Sequence, residues 1–377
     1  MSRIVIARSN PVNPDSRVEK EANSLRKAGH DVILLVWDRE ETHRVRYDVK
    51  KLQDTEVKRA AIGAKAEYGA GMKSLFPFIR FQTALFRWLI RHRSEYDICH
   101  LCDFDTAFTG SKAARICRKT VVYDLFDYMS TNADTLPGKA VKRLEDHTVN
   151  QADAVIICTE QRREQIRDTH PKSVTVIHNS PPQIQSPRSV CKSRSGRTKV
   201  VYVGILEERR RLKEIAEVIM EMPDVEFHVG GFGQLDGYFT DLSARTDNIF
   251  YYGRIPYEDT LALESECDII TAIYDLSIGN SYYAAPNKFY ESLMLGKPTI
   301  MVRGTGMSGY VEKYGFGELI ECTKEGIREG LTRLLLRKAE WPEMGEQMKK
   351  IYREEFSWEI MEERLAGLYD FLEEKRG

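Results

Sequence analysis

Three residues in the stretch Pro286–Ile300, PNKFYESLMLGKPTI, have the types and spacing to hold a phosphorylated ligand: Asn287, Lys288 and Glu291. The pattern reads as a loop, a short helix and a buried strand. Phe289, Leu293 and Met294 make an apolar stripe at helical spacing, Gly296 stops the helix, and Pro298 opens the apolar run Thr299–Val302. A helix starting at Asn287 turns unpaired backbone N–H groups and a partial positive charge toward an anion, and Lys288 adds a full charge. Glu291 lies one turn further in, on a helix that otherwise looks packed, where a carboxylate needs a partner that ligand hydroxyls would supply. The same residues also read as a helix cap followed by a surface Glu.

Other candidates follow strand-like segments. After Lys199–Val203 come Gly204, Glu207, Glu208, Arg209, Arg210, Arg211 and Lys213. A diphosphate leaving water needs cations or N–H groups, which these arginines offer; solvated ion pairs with the glutamates are the alternative. Gly230-Gly231-Phe232-Gly233 follows Val225–Val229, and glycines there permit close backbone approach to a ligand or a plain tight turn. In the first half, His100 lies on the strand-like Asp97–Leu101, with Asp103 and Asp105 at its end. Asp127 follows Thr120–Asp124. His100 also fits a satisfied core histidine, and Asp127 a helix cap. The loop Asn10–Ser16 after the first strand leads to Arg17, a base in a first helical turn that the helix dipole disfavours. An ion pair with Glu21 at i,i+4 would account for it equally.

These candidates need elements to hold them, and the chain supplies two alternating series. Arg3–Ala7, Asp31–Val36, Asp97–Leu101, Thr120–Asp124, Ala154–Cys158 and Val174–His178 read as buried strands, with helices such as Asp15–Ala28 and Phe104–Cys117 between them. Lys199–Val203, Val225–Val229, Ile249–Tyr252, Asp268–Ala272, Thr299–Val302 and Glu318–Ile320 repeat the rhythm. Near-continuous apolar strands predict parallel sheets covered on both faces. Asn179–Thr198, with its prolines, serines and basic residues, reads as a linker and mobile loop. Arg39–Met72 shows little pattern and reads as a mobile loop. Lys73–Arg93 is an apolar and basic helix, suited either to the interior of the first domain or to an anionic membrane surface.

A chain of 377 residues is long enough for two domains. Its 56 basic and 57 acidic residues are interspersed, which argues against a nucleic-acid binder. No apolar run reaches membrane-span length, and the first strand starts at once without a signal peptide, so a cytoplasmic protein is expected. The 7 cysteines lack framework spacing and read as reduced thiols. Cys99 and Cys102 flank His100 with no second pair, so neither a metal nor a cofactor is expected. Ile6–Pro14 lacks the G-x-G-x-x-G of a dinucleotide fold.

Pro286–Ile300 resembles the donor-site helix of GT-B glycosyltransferases, in particular the GT4-like family, whose helix carries a Glu before a "GxP" turn. The resemblance implies an α/β fold of GT-B architecture: two doubly wound Rossmann-like domains facing a central cleft. It implies an acceptor-side domain over 1–180 with a C-terminal helix, 357–377, crossing back to it, a linker over 181–198, and a nucleotide-sugar domain over 199–356. Glu291 matches the position that binds the ribose. Arg210, with Arg209 the alternative, matches the basic residue that clamps the donor diphosphate beside Asn287 and Lys288. Gly231, Gly233, Arg254 and Ile255 match the loops bordering the nucleotide. On the acceptor side, His100, Asp103 and Asp127 match candidate catalytic positions, and the loop from Asn10 to Arg17 matches a GT4 subgroup. The chain departs from the family at Tyr283 in place of a second Glu, at Cys102 in place of a second His, and at Phe126 in place of another His.

The expected activity is transfer of a sugar from a nucleotide-diphosphate sugar to a hydroxyl of a glycan, lipid-linked or small-molecule acceptor. The resemblance implies retention and no metal, in glycan or glycoconjugate biosynthesis, with 73–93 a candidate for peripheral contact at the inner membrane face. The departures also fit a non-catalytic sugar-nucleotide binder. A GT-B nucleotide-sugar 2-epimerase would need further His and carboxylate groups around the sugar.

Overall fold

The computed structural model describes residues 1–66, 74–129, 135–182, 189–193, 195–277 and 279–376. Two compact units emerge, one of Met1–His178 with Met361–Gly377 and one of Asn179–Ile360. The first unit runs β1 (Arg3–Arg8), α1 (Ser16–Lys27), β2 (Asp31–Asp38), β3 (Thr42–Lys51), β4 (Glu56–Ala64), α2 (Leu75–Arg91), β5 (Ile98–Cys102), α3 (Phe104–Ile116), β6 (Thr120–Leu125), α4 (Leu136–Gln151), β7 (Ala154–Ile157) and β8 (Val174–Val176). The second contains β9 (Thr198–Leu206), α5 (Leu212–Met220), β10 (Val225–Gly233), α6 (Asp236–Ser243), β11 (Ile249–Tyr251), α7 (Tyr257–Glu266), β12 (Ile269–Ala272), α8 (Asn287–Leu295), β13 (Thr299–Val302), α9 (Ser308–Tyr314), β14 (Gly317–Ile320), α10 (Lys324–Leu336) and α11 (Trp341–Ile351). The last helix is α12 (Trp358–Glu374).

In the first unit the strand order is β3-β4-β2-β1-β5-β6-β7-β8, parallel except for the hairpin β3–β4. In the second it is β11-β10-β9-β12-β13-β14, all parallel. Both sheets are buried on two faces, which is why their strands carry continuous apolar runs. Val5 and Ala7 enter one core while Ile4 and Ile6 are buried opposite; Val200 and Tyr202 face one cluster, Val201 and Val203 another. In each sheet the strand order reverses beside the first strand, at β1/β5 and at β9/β12. Loops at the carboxyl ends of such strands form the natural ligand crevice of an open α/β sheet.

Two expectations need correction. Arg39–Met72 is not a loop in its described part: it forms the antiparallel hairpin β3–β4, which adds an edge to the sheet. Its signal was present, since Val45, Tyr47 and Val49 alternate with charged residues over β3. The described end of the stretch read as a linker is packed rather than mobile. Glu266 accepts from the backbone N–H groups of Val190 (2.7 Å) and Cys191 (3.2 Å), and Cys191 and Ser193 are buried. Of the basic helix over 73–93, Lys73 lies outside the described residues. Phe81, Leu85, Trp88 and Leu89 bury the inner face of α2 in the first core.

Candidate functional site

In the second unit α8 forms where its sequence requires. Gly296 ends it at φ 65°, and a Cβ there would come within 2.7 Å of the Gly345 carbonyl oxygen, so both the left-handed turn and the approach of α11 demand glycine. Asn287 is exposed at its first position. Glu291 is wholly buried, and Tyr257 donates to it at 3.1 Å.

Lys288 does not point outward to an anion. It is buried with its Nζ 2.7 Å from Glu264 and 2.7 Å from Glu291. Two carboxylates thus share one ammonium in a dry site. Burial and the neighbouring Glu291 push the Glu264 carboxyl up to about 8. The same pair raises the Lys288 ammonium. Glu264 and Tyr257 were missed in the sequence. The available signal was an acid on the apolar face of α7, three residues beyond Leu261.

The arginines after β9 differ sharply. Arg209 pairs with Glu207. Arg211 takes the left-handed conformation that opens α5 and pairs with Glu214 (3.0 Å) and Asp275 (2.7 Å). Arg210 has no carboxylate partner among the described residues. Its guanidinium lies 3.7 Å over the Tyr274 ring, with its Nε buried and unbonded. The Tyr202 hydroxyl, raised to about 12 chiefly by burial, feels both Arg210 and Lys288.

The glycine loop serves the sheet itself. A Cβ on Gly231 (φ 129°) would meet the Gly204 carbonyl oxygen at 1.8 Å, and its N–H bonds Gly253 at 2.8 Å. Gly233 likewise has a left-handed φ of 151°. Arg254 is exposed and stacks 4.7 Å over the Phe232 ring, while Ile255 packs into a satellite core. Tyr283 ends the short helical turn before α8, edge-on to Tyr282.

In the first unit the candidates divide. His100 is wholly buried, with Nε2 3.3 Å from Asp124 and Nδ1 2.8 Å from the Tyr369 hydroxyl. It is a satisfied core histidine and presents nothing to a ligand. Arg17 is also turned inward. It binds Asp124 at 2.9 and 3.3 Å, Glu21 at 3.2 Å and the Ile177 carbonyl at 2.7 Å. Arg17 and His100 hold the Asp124 carboxylate down to about 2 against its burial, while burial and Asp124 push Glu21 well above the usual carboxylate range. Donor atoms of His100, Cys102 and Asp124 lie within 4.8 Å of one another, but Arg17 already puts a cation on that carboxylate.

Asp103 sits at φ 63°, ψ 164°, a conformation nearly reserved for glycine. Its carboxylate takes the N–H groups of Phe126 (3.0 Å) and Asp127 (3.1 Å) and pairs with Arg8, so it clamps the loop after β6. Asn10 is likewise internal to its loop, donating to Asp15 at 2.8 Å and accepting from Val12 N–H at 2.7 Å. Asp127 caps no helix, since α4 starts at Leu136 behind Thr135. It is the exposed carboxylate of the group, held by the buried Arg162 at 2.9 Å.

Residues 14–180 match the model of the glycosyl transferase 4-like domain. Over the whole chain the fold is that of sucrose-phosphate synthase from Thermosynechococcus elongatus, at a TM-score of 0.80 and 16% identity, covering 99% of both chains. The chain thus carries a glycosyl transferase 4-like domain over residues 14–180 within a GT-B fold. Anabaena HepE in complex with UDP-glucose matches this chain at a TM-score of 0.72 and 13% identity, covering 98% of this chain and 100% of that one. An alpha,alpha-trehalose-phosphate synthase (UDP-forming) from Burkholderia vietnamiensis matches at 0.67 and 12% identity, covering 97% and 99%. No curated protein sequence matches this chain significantly.

Proposed function

We propose that the chain moves a sugar from a nucleotide-diphosphate sugar to a hydroxyl of a glycan, lipid-linked or small-molecule acceptor, with retention and without a metal ion. The observation that carries this reading is Arg210: a cation just after β9 with no carboxylate of its own among the described residues, in the same unit as the exposed start of α8. In this reading Arg210 and the α8 N-terminus take the diphosphate, whose charge grows as the sugar leaves. Glu291, fixed by Tyr257 and Lys288, accepts the ribose hydroxyls. Lys288 acts through Glu291 and not on the phosphates. Asp127 serves the acceptor side, with Asp103 positioning it. The departing phosphate takes the acceptor proton, so the burial of His100 removes no necessary base. A cytoplasmic setting and a role in glycan or glycoconjugate biosynthesis belong to the same proposal.

Uridine is the base to test first, because HepE was solved with UDP-glucose and with UDP, and the Burkholderia synthase is UDP-forming. Thermal stability against UDP, GDP, dTDP, ADP and CDP, in wild type and Glu291→Ala, checks the donor site. Ligand at ~100 times its Kd stabilises by ~2.7 kcal/mol. A shift for one nucleotide that disappears in the variant supports the reading, and a flat panel ends it. Turnover of the matching sugar nucleotide then separates a transferase from a binder.

A further inference from the structure

We propose that a basic groove in the first unit, between α2 and the β3–β4 hairpin, seats the phosphate headgroups of an anionic lipid bilayer. The proposal stands apart from the sugar-nucleotide reading and uses no residue assigned to it.

The groove encloses about 440 Å³ and contains no acidic side chain among its lining residues. Arg80, Arg87 and Arg91 enter it from α2, seven and four residues apart, so the three cations share one helix face. Arg87 and Arg91 are exposed. Aromatic groups brace the groove: Trp88 Nε1 donates to the Tyr47 hydroxyl at 3.1 Å, and the Trp88 ring stacks on His92 with centroids 4.3 Å apart. The chain as a whole has a net charge of −1, so attraction to an anionic surface must come from such a local cluster.

The same helix face continues into apolar residues that are left in water. Phe76, one turn before Arg80, is 69% exposed with its ring 5.9 Å from the Arg80 guanidinium, and Ile79, which lines the groove, is 51% exposed. Tyr47 and Val49 of the hairpin edge add further exposed apolar surface. A soluble phosphate ester would use the arginines and leave Phe76 and Ile79 without a role. A bilayer uses both, since guanidinium forks suit headgroup phosphates and apolar side chains suit the acyl boundary just below.

The test is co-sedimentation of the full chain with vesicles of phosphatidylcholine alone or mixed with phosphatidylglycerol. Binding is expected to the mixed vesicles, to be negligible on the neutral ones, and to fall with salt. Joint Arg87→Gln and Arg91→Gln replacement should weaken it roughly thirtyfold, the equivalent of two charges at ~1 kcal/mol each near an anionic surface. Joint Phe76→Ser and Ile79→Ser replacement should remove the part that survives salt. All four side chains are exposed, so circular dichroism and Tm should match wild type and the nucleotide response should persist in both variants. Equal binding to both vesicle types, no binding at low salt, or wild-type binding by the arginine variant would overturn the proposal. So would the absence of vesicle binding together with a Tm rise in glycerol 3-phosphate that needs Arg87 and Arg91, which would assign the groove to a small phosphate ester.

Discussion

Each unit buries one closed charge network, around Arg17 in the first and Lys288 in the second, but only the second also leaves a strand-end arginine, Arg210, without a carboxylate among the described residues. In the first, Arg17, Asp124, His100, Glu21 and Tyr369 are buried together and answer one another, tying β5 and β6 to α1 and α12. In the second, Arg210 rests on an aromatic ring and Asn287 is open at a helix start. Chemically similar residues therefore serve different ends: the Arg17 network holds a fold, whereas Arg210, with no carboxylate partner among the described residues, can take a ligand.

The most severe way to test that contrast is to open the closed network. Arg17→Met leaves Asp124 and Glu21 buried beside His100 alone. Removing one partner of a buried pair costs ~3–5 kcal/mol, and the loss is expected as a lowered urea midpoint with an unchanged slope. Nucleotide affinity of the protein that remains folded should not move; if it falls in parallel, Arg17 serves the site. Next in size, Glu291→Ala should weaken nucleotide binding by ~1.5–3 kcal/mol, about ten- to a hundredfold, the range for hydrogen bonds to a charged group. A smaller effect separates the arginines. Arg210→Gln should raise the nucleotide Kd about tenfold, whereas Arg209→Gln, whose side chain is half-exposed beside Glu207, should change it less than about twofold. Equal effects would erase the distinction drawn from their partners.

Much of this arrangement was legible in the chain because it rests on local pattern. The strands of both alternating series lie where continuous apolar runs predicted them, and Asp15 and Gly296 mark the helix ends their residue types announce. The hairpin β3–β4 was missed although Val45, Tyr47 and Val49 alternate, because the charges between them mask an edge strand. Which way a charged side chain turns was legible only where the partner is near in sequence, as in the Arg17–Glu21 pair at i,i+4. Lys288 and Arg17 look like ligand cations by position, yet each meets carboxylates from distant segments, Glu264 and Asp124. Such pairings are set by sheet order and helix packing, which no local spacing encodes.

The subtlest consequence of the Lys288 cluster concerns pH. Glu264 has its folded pKa raised to about 8 by burial and by Glu291, above the ordinary carboxylate value it regains on unfolding. The folded state therefore binds the extra proton between those values. The associated stability is complete below the unfolded pKa and is lost as pH rises through about 8, with a slope of at most ~1.4 kcal/mol per pH unit for one proton. Other groups titrate in the same span, so the informative quantity is the difference between wild type and Glu264→Gln. That variant keeps the shape and a donor toward Glu291 but cannot ionise, and its stability should decline less than wild type's between about pH 6 and 8. Because Glu264 and Glu291 are near neighbours, the midpoint belongs to the pair. If the two stability curves run parallel, Glu264 is ionised in the folded protein, and Lys288 balances two negative charges instead of one.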